Sequence, residues 1–505
     1  MTTTVAHPSR RPVTVPRTTA ARLLMLALLL SSLYAGAIVL EVAKPDSGGL
    51  TPGLFYPGAP TETYIPFWGA VASWAAALGL GAVTAVRCAS VADPATRRQR
   101  LERGQVVIAG VLVVPFVIDP VIDLVRFFPL VLACLPPTLV ALWGVHRLQR
   151  FRRLPVPVLL AAFAGGPLLG CGFGGSMNSL YVDYSQAYLV WPKVAGMTAH
   201  PDLARLRDGT FLHEVLAAKQ LTNSGLALDA GIFEELGKGV VLAAVFLLCR
   251  RWWDGVLSGA VLGMAVGLGF NLLESVEYMT GDAFYQFWIR QGVGLMAAHT
   301  AFSAIVGAGF GIASRLAAPN ARRLAIGAGL ITAICGHFAT DSLLFAFSGR
   351  LPEWLDVSSA VDVLVLQPLE LVLLQGPFVL MYLLLVKRAL RDQAAALATG
   401  LAAESAAADI AVTAEEIPIL LSPRRRTAMR GAAFRYRGGL RAYRYIGHLH
   451  DVQIDLGLQH TGFARDGSRS VATLRRRVAH LKQHPGLQRP RPAATAAAAS
   501  FEVSP

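Results

Sequence analysis

The sequence predicts an all-α polytopic membrane protein with about ten transmembrane helices and with both termini in the cytoplasm. Three observations support this class. Of the 505 residues, 54% are hydrophobic and only 15% are charged, with a mean hydropathy of +0.49. Apolar runs of about 20 residues, the length that spans a bilayer, recur along the chain. Basic residues are concentrated in every second connection between these runs, which indicates the orientation of the spans.

The first third of the chain contains a basic segment and five apolar runs. Residues 1–22 are polar and basic, and we expect them in the cytoplasm. Residues 23–175 are expected to form an N-terminal five-helix transmembrane part, with runs at about 23–42, 67–86, 105–122, 127–146 and 155–175. The connections after the second and fourth runs are rich in arginine, which places them on the cytoplasmic side.

A long connection, residues 176–230, separates the fifth and sixth runs, and we expect it to be an extracytoplasmic loop. Its first half holds an aromatic cluster that is typical of a membrane interface. An amphipathic stretch follows at about 201–220. His213-Glu214 resembles the start of a zinc-protease helix, but Ala217 stands where the second histidine is needed, so that motif is absent.

Five further runs are predicted at about 232–249, 254–279, 291–313, 323–347 and 361–387. Residues 388–505 then form a basic tail with 18 Lys/Arg against 9 Asp/Glu. We expect this tail to be cytoplasmic, partly helical, partly disordered and attracted to anionic lipid, with no nucleic-acid partner. The five cysteines show no paired spacing, so no disulfide framework is indicated.

Ionisable residues inside the later spans are the main functional signal, because a charge in the hydrocarbon layer costs several kcal/mol. Glu234 and Glu235 are adjacent, and Lys238 follows one helical turn later, so the lysine can reach back to both carboxylates. A helix cap at the membrane interface is the simpler alternative, since acidic residues suit a helix N-terminus.

Three more polar groups lie in the following spans. Asn271 and Glu274 are three residues apart and share a helix face, and His337 and Asp341 do the same at a spacing of four. His299 lies in the span between them. Each alone has a structural alternative: a buried histidine is commonly a hydrogen-bonded packing residue. Counting about 1.5 Å per residue along alternating spans places all these groups in the outer half of the membrane.

Two histidines with carboxylates at a common depth could catalyse hydrolysis. One arrangement is an open zinc site with three protein ligands and a position for water. The other uses a glutamate as general base and the histidines as oxyanion donors, without a metal. The sequence does not choose between them.

The ordered set Glu234-Glu235-x-x-Lys238, Phe270-x-x-x-Glu274, His299-Thr300 and His337-x-x-x-Asp341 resembles the PrsW family of intramembrane proteases, which is related to the CAAX-processing and bacteriocin-immunity membrane proteases. The resemblance covers about residues 231–345, leaving the first five spans and the tail outside it. Residues 231–387 would then be a PrsW-like five-helix catalytic core. Asp341 departs from the family pattern, which usually has asparagine at that position.

The resemblance implies a bacterial metalloprotease of the cell membrane that cuts a single-span membrane protein, such as an anti-sigma factor, near its outer side. It assigns catalytic roles to Glu234, Glu235, Glu274, His299 and His337. A zinc ion would be held by Glu274, His299 and His337. Lys238, Asn271 and Asp341 would support the site.

Two other functions remain open from the sequence. A transporter also places carboxylates and histidines in a cavity between spans, although no internal repeat supports it. A non-catalytic scaffold or immunity protein of the same fold is the second alternative.

Overall fold

The computed structural model describes residues 18–42, 61–347, 350–407, 411–461, 463 and 470–483. Residues 1–17 of the basic segment, residues 43–60 of the connection 43–66 and the end of the tail lie outside this range. The described chain is helical and contains no strand, which confirms the predicted all-α fold class. The cytoplasmic location of both termini remains a prediction.

The membrane helices begin with α1 to α4, at Thr19–Val42, Thr61–Ala89, Pro94–Arg126 and Phe128–Leu148. The middle of the chain contains α5 to α9, at Val156–Gly165, Gly172–Ser185, Trp191–Ala199, Leu203–Arg207 and Thr210–Leu248. Then come α10 to α13, at Val256–Tyr278, Ala283–Gln286, Ala298–Ala313 and Pro319–Phe347. The C-terminal part contains α14 to α20, at Arg350–Leu355, Ser359–Val361, Gln367–Ser405, Ile417–Leu421, Pro423–Ala433, Gly439–Gln459 and Val471–Lys482.

Short π-helical segments lie between several of these helices. They lie at Gly166–Cys171, Gln186–Val190, Phe287–Val293, Asp362–Leu366 and Phe434–Gly438. Nine helical stretches of the described chain are long and apolar enough to cross a membrane. Helix α9 is not among them, although we predicted a span at 232–249. Glu234, Glu235 and Lys238 all lie within its apolar part and lower its hydropathy.

The chain divides into two compact units, residues 1–117 and 118–505. In the first unit, a small core forms where α1, α2 and α3 meet at Ala27, Ala77 and Leu112. Ser73 Oγ donates a hydrogen bond to the Val111 carbonyl at 2.7 Å, which satisfies a polar group within that apolar environment.

The core of the second unit is built around α10 and α12. In an apolar segment of 18 residues within α10, 94% of the residues are buried, and in a segment of the same length within Ala283–Ala313 the share is 78%. The corresponding share in α13 is only 22%. Glycines allow this close packing. A Cβ added to Gly259 would lie 2.1 Å from the Gly307 carbonyl oxygen, and one added to Gly263 would lie 2.0 Å from that of Ser303. Small residues permit such backbone contact between membrane helices.

The connection 176–230 is largely helical, contrary to the predicted loop. Helix α6 continues the fifth span, and α9 begins at Thr210, some twenty residues before the predicted start of the sixth span. Gly209, with φ of +79°, and Asp208 Oδ1, which accepts from the Thr210 amide at 2.9 Å, set that start. Hydropathy marked only the apolar part of a longer helix. The side of the membrane on which this segment lies remains a prediction.

The tail folds back as a second, smaller core. Helix α16 extends past the predicted end of the tenth span, so that Leu397 and Leu401 pack with α19 and α20. Phe151, from the basic connection between α4 and α5, joins the same core. The described part of the tail is therefore a packed helical element, and the end of the tail, where we predict disorder, lies outside the described residues.

Candidate metal and catalytic site

Helix α9 places two carboxylates and a lysine together inside the protein. Glu235 and Lys238 are fully buried, and Glu234 is 4% exposed. Lys238 Nζ lies 2.6 Å from Glu235 Oε1 and 3.6 Å from Glu234 Oε2. The lysine therefore reaches back along the helix as its spacing predicted. Because Glu234 is the twenty-fifth residue of α9, these groups lie within the helix, not at a cap.

His337 on α13 is held by the second of these carboxylates. Its Nδ1 lies 3.0 Å from Glu235 Oε1, which makes Nδ1–H the donor and leaves the lone pair on Nε2. Nε2 then lies 3.8 Å from Glu234 Oε2 and 3.4 Å from Asp341 Oδ2. Glu235 thus fixes both the orientation and the tautomer of the imidazole.

His299, near the start of α12, is held in the same manner by Glu274 of α10. Its Nε2 lies 2.6 Å from Glu274 Oε2. Its Nδ1 accepts from Lys238 Nζ at 3.0 Å and lies 3.7 Å from Glu234 Oε2. The ring also lies against Phe270, with centroids 4.8 Å apart. The histidine therefore points one nitrogen at Glu274 and the other at Glu234.

These two carboxylate–histidine pairs converge on Glu234. One donor atom each from Glu234, His299 and His337 lie within 4.8 Å of one another, and all three residues are buried. Glu234 Oε2 has no hydrogen-bond partner among the described residues. The group differs from the ligand set implied by the sequence resemblance, which had Glu274 in place of Glu234. Glu274 Oε2 instead lies 2.6 Å from Nε2 of His299, the ring nitrogen that faces away from Glu234.

The residues present fit a divalent metal such as zinc. Two imidazole nitrogens and one carboxylate oxygen are a common zinc donor set, and second carboxylates behind the imidazoles are the usual support for it. The buried Glu234 Oε2, which lacks a hydrogen-bond partner, is an acceptor that a cation would satisfy. Lys238 Nζ competes for His299 Nδ1, so the lysine must give up that contact when a metal is bound there.

Two polar residues of the site were missed from the sequence. Asn178 on α6 donates to Glu234 Oε1 at 2.8 Å. Arg290, in the π-helical segment before α12, places Nη1 2.9 Å from Glu274 Oε2. The sequence did contain a signal for each: Asn178 is an amide within an apolar stretch, and Arg290 is an arginine at the edge of a span. They had no recognisable spacing relative to the other site residues, because the tertiary fold alone brings them together.

The backbone immediately before His299 is strained. Ala298 has φ of +33°, a conformation that costs energy for a residue with a Cβ. Gln375 of α16 accepts a hydrogen bond from the Ala298 amide at 3.2 Å, and Tyr382 of the same helix donates to the Met296 carbonyl at 3.3 Å. Helix α16 thus holds the turn that presents His299.

Close helix packing fixes the same histidine from the other side. A Cβ on Gly267 of α10 would lie 2.3 Å from the His299 carbonyl oxygen. On α6, a Cβ at Gly174 would lie 2.8 Å from Glu234 Cγ. These glycines let α10 and α6 approach the site closely enough for Glu274 and Asn178 to reach it.

The remaining sequence predictions have mixed outcomes. Asn271 is buried, but its Nδ2 finds no partner within the described part of the chain, so it makes no hydrogen bond to the site. Asp341 does contact His337 and is 28% exposed at the edge of the site. His213-Glu214 plays no part in it, since Glu214 pairs with Arg205 at 2.6 Å on an exposed surface.

Helices long and apolar enough to cross a membrane, together with a buried carboxylate–histidine group that could hold a metal, define the class: a multi-pass membrane protein with a candidate metal site. Comparison with protein families identifies the group more narrowly. Residues 155–369 match the PrsW family of intramembrane metalloproteases, and we assign this segment to that family. No curated protein and no solved structure matches the chain.

The match confirms the resemblance seen in the sequence and corrects its extent. It begins at residue 155 and so includes the fifth predicted span, which the resemblance had left out. The reason is visible in the site: the helices that follow residue 155 supply Asn178 and the glycine contacts to α9 and α10.

Proposed function

We propose that this protein is a zinc-dependent intramembrane endopeptidase whose metal is held by Glu234, His299 and His337. The observation that supports this most strongly is the paired arrangement behind the ligands. Glu235 and Glu274 place a carboxylate oxygen 3.0 and 2.6 Å from one imidazole nitrogen of His337 and His299, and the other nitrogen of each ring lies 3.8 and 3.7 Å from Glu234 Oε2. Such outer carboxylates orient histidine ligands and raise their basicity.

When bound, zinc would supply Lewis-acid polarisation of the scissile carbonyl and acidify the attacking water. The protein supplies the proton acceptor. Glu235 uses Oε1 for Lys238 and His337, and its Oε2 has no hydrogen-bond partner among the described residues. In the proposed reaction Oε2 accepts the proton of the water and passes it to the departing amine.

Lys238 would have two roles. Before substrate binds, its ammonium group lies among Glu234, Glu235 and His299 and offsets the charge of the buried carboxylates. During attack, a cation beside the reacting carbonyl stabilises the negative charge that develops on oxygen. Arg290 pairs with Glu274, so the two permanent cations leave one of the three buried carboxylates without a compensating charge before a metal is bound.

The substrate would enter where the site is least buried. The side chains of Glu274, Arg290 and Asp341 are 12%, 20% and 28% exposed, whereas Glu234 and Glu235 are at most 5% exposed. A peptide reaching this edge comes from a membrane-anchored protein, and we propose a single-span substrate cut near its outer side, an anti-sigma factor being one example. The outer position rests on the charge distribution of the loops.

The decisive experiment measures metal content and cleavage in the same preparations. We expect about one zinc per wild-type chain. The double change His299→Ala/His337→Ala should remove the metal and cleavage of co-expressed single-span proteins. Glu274→Gln should keep the stoichiometry and weaken zinc affinity by about 10- to 100-fold, as for other outer-shell partners.

Glu370→Gln is the matched control. Glu370 is a buried glutamate of α16, and among the described residues it forms no hydrogen bond or ion pair with the site. Its zinc content and cleavage should equal those of the wild type. Cleavage that persists in metal-free protein and requires Glu235 and Lys238 would replace the zinc mechanism with the metal-free one. No cleavage of any single-span protein by the wild type would reject the protease function.

A further inference from the structure

A second cluster of ionisable groups lies in the tail, outside the proposed protease site. It is formed by Arg426 and Arg430 on α18 and by His450 on α19, beside the basic connection between α4 and α5. Arg426 and His450 are 6% and 4% exposed, which is unusual for an arginine and a histidine without a carboxylate partner. Arg426 donates through Nη2 to the Arg150 carbonyl, which attaches the cluster to that connection.

Three nitrogens in this cluster have no hydrogen-bond partner among the described residues: Arg426 Nε, Arg430 Nε and His450 Nδ1. All are buried. Arg430 spends Nη2 on the Gly447 carbonyl and on Asp451 Oδ1, both at 3.3 Å. A buried donor that is left unsatisfied costs about 1–3 kcal/mol, and more for a charged group, so the two guanidinium Nε–H groups call for an acceptor. His450 Nδ1 can donate to the same acceptor in its Nδ1–H tautomer.

The protein itself does not provide enough negative charge here. Asp451 is 63% exposed, and Glu416 is engaged by Lys482 at 2.6 Å. Burial and the neighbouring arginines lower the pKa of Arg426 to about 10 and that of His450 to about 4. Partial burial, Arg147 and Arg430 also lower the pKa of the exposed Arg153. The local potential is therefore positive, which favours an anion.

A surface pocket of about 420 Å³ is lined by residues that follow Arg430 in the chain. Its lining combines an arginine with apolar and aromatic groups: Gly431, Phe434, Arg435, Leu440 and Tyr443. Phe434 and Leu440 are 50% and 53% exposed. Exposed aromatic and aliphatic side chains interleaved with arginine are typical of protein surfaces at the headgroup level of a membrane.

We propose that Arg426, Arg430 and His450 form a binding site for a phosphoryl anion, with the adjacent pocket able to take the part of the molecule next to the phosphate. Arginine is suited to this role because its guanidinium binds phosphate oxygens in two parallel hydrogen bonds. The anion would join the tail to the connection between α4 and α5. An anionic phospholipid headgroup and free phosphate share this chemistry.

The test uses the full-length protein in neutral detergent and measures hydrogen exchange of peptides covering residues 423–459. Inorganic phosphate, added at constant ionic strength with chloride as the balance, should slow exchange in these peptides. A second arm compares nanodiscs of phosphatidylcholine with nanodiscs that also contain phosphatidylglycerol. Protection by phosphatidylglycerol alone identifies the lipid headgroup as the source, and protection by phosphate alone identifies the free ion.

Arg430→Gln should weaken the anion response by at least about tenfold in apparent affinity, the effect of losing one charge-assisted hydrogen bond. Arg430→Lys keeps the charge but not the planar guanidinium, so its apparent affinity for the anion should lie between those of the wild type and Arg430→Gln. Arg424→Gln removes a charge from an exposed position of the same helix and should respond like the wild type. The proposal is overturned if neither anion source changes exchange, or if Arg424→Gln and Arg430→Gln lose the response equally.

Discussion

Two glutamate–histidine–cation groups occur in the part of the chain that the structure describes, one among the membrane helices and one in the tail. In the tail, Glu404 accepts from Arg475 through both oxygens, at 2.9 and 3.0 Å, and also pairs with His460. Each Glu404 oxygen is thus used. In the membrane group, Glu234 Oε2 and Glu235 Oε2 have no hydrogen-bond partner among the described residues. The residue types are alike, but only the membrane group has acceptors left for a metal and a water.

Burial and composition therefore do not distinguish a structural ion pair from the proposed reactive site. Glu404 and Glu235 are both fully buried. The difference lies in whether the surrounding groups satisfy each oxygen, because a fully bonded carboxylate has no lone pair accessible to substrate or metal. Four experiments test this difference and the stability of the two regions.

The largest expected effect comes from exchanging one glutamate in each group. Glu234→Gln should reduce cleavage of a single-span substrate by about a thousandfold or more, because it removes a charged ligand from the proposed metal. Glu404→Gln should leave cleavage unchanged and instead increase hydrogen exchange in α19 and α20, which Glu404 ties to α16 through His460 and Arg475. Equal loss of cleavage in both variants would mean that the two groups do not differ in function.

Gly267→Ala tests how tightly the membrane group is held. The added Cβ would lie 2.3 Å from the His299 carbonyl oxygen, so α12 must shift, at a cost of about 1–3 kcal/mol. We expect lower zinc affinity and a lower unfolding temperature. Gly327→Ala on α13 is the control, because no atom lies within 4 Å of its added Cβ. If the two variants behave alike, the contact between α10 and α12 does not position His299.

A smaller effect is expected from the turn before His299. Gln375→Leu removes the acceptor for the Ala298 amide. The positive-φ conformation of Ala298, which costs about 1–3 kcal/mol, should then relax, and the displaced His299 should weaken zinc affinity several-fold. Adding Ala298→Gly should restore part of the loss, since glycine adopts positive φ without strain. The two changes are measured singly and together by zinc titration. Additive losses, with no rescue, would show that Gln375 acts elsewhere.

The smallest effect concerns pH and the tail. The pKa of His450 is lowered to about 4 by burial and by Arg430 and Arg426, whereas in the unfolded chain it is near 6.5. Between these values the unfolded chain binds a proton that the folded tail does not. Tail stability should therefore fall as the pH is lowered from about 7 toward 4 in phosphate-free buffer.

His450→Gln should flatten this dependence, because glutamine does not titrate. Hydrogen exchange of α19 measured across the same pH range provides the readout, and His213→Gln, at a position distant in sequence on α9, serves as the control. A pH dependence unchanged by His450→Gln would assign it to another group.

The class of this protein could be predicted from its sequence, and so could five of the residues that meet in the proposed site. The apolar runs identify a polytopic helical membrane protein, because a hydrocarbon layer demands about 20 apolar residues in each span. The cost of charge in that layer singled out Glu234, Glu235, Glu274, His299 and His337 before any contact was known. The structure brings all five together.

The contacts between these side chains could not be predicted without the tertiary structure. Asn178 and Arg290 reach the site from distant segments, and Gln375 accepts a hydrogen bond from the turn before His299. The donor atoms that lie close enough for a metal include Glu234, where the resemblance implied Glu274. Helix α9 also extends far beyond its apolar part. These facts depend on distances between helices and on which oxygen of each carboxylate is already bonded. One-dimensional spacing fixes which residues share a helix face, but the packing of helices fixes which faces meet.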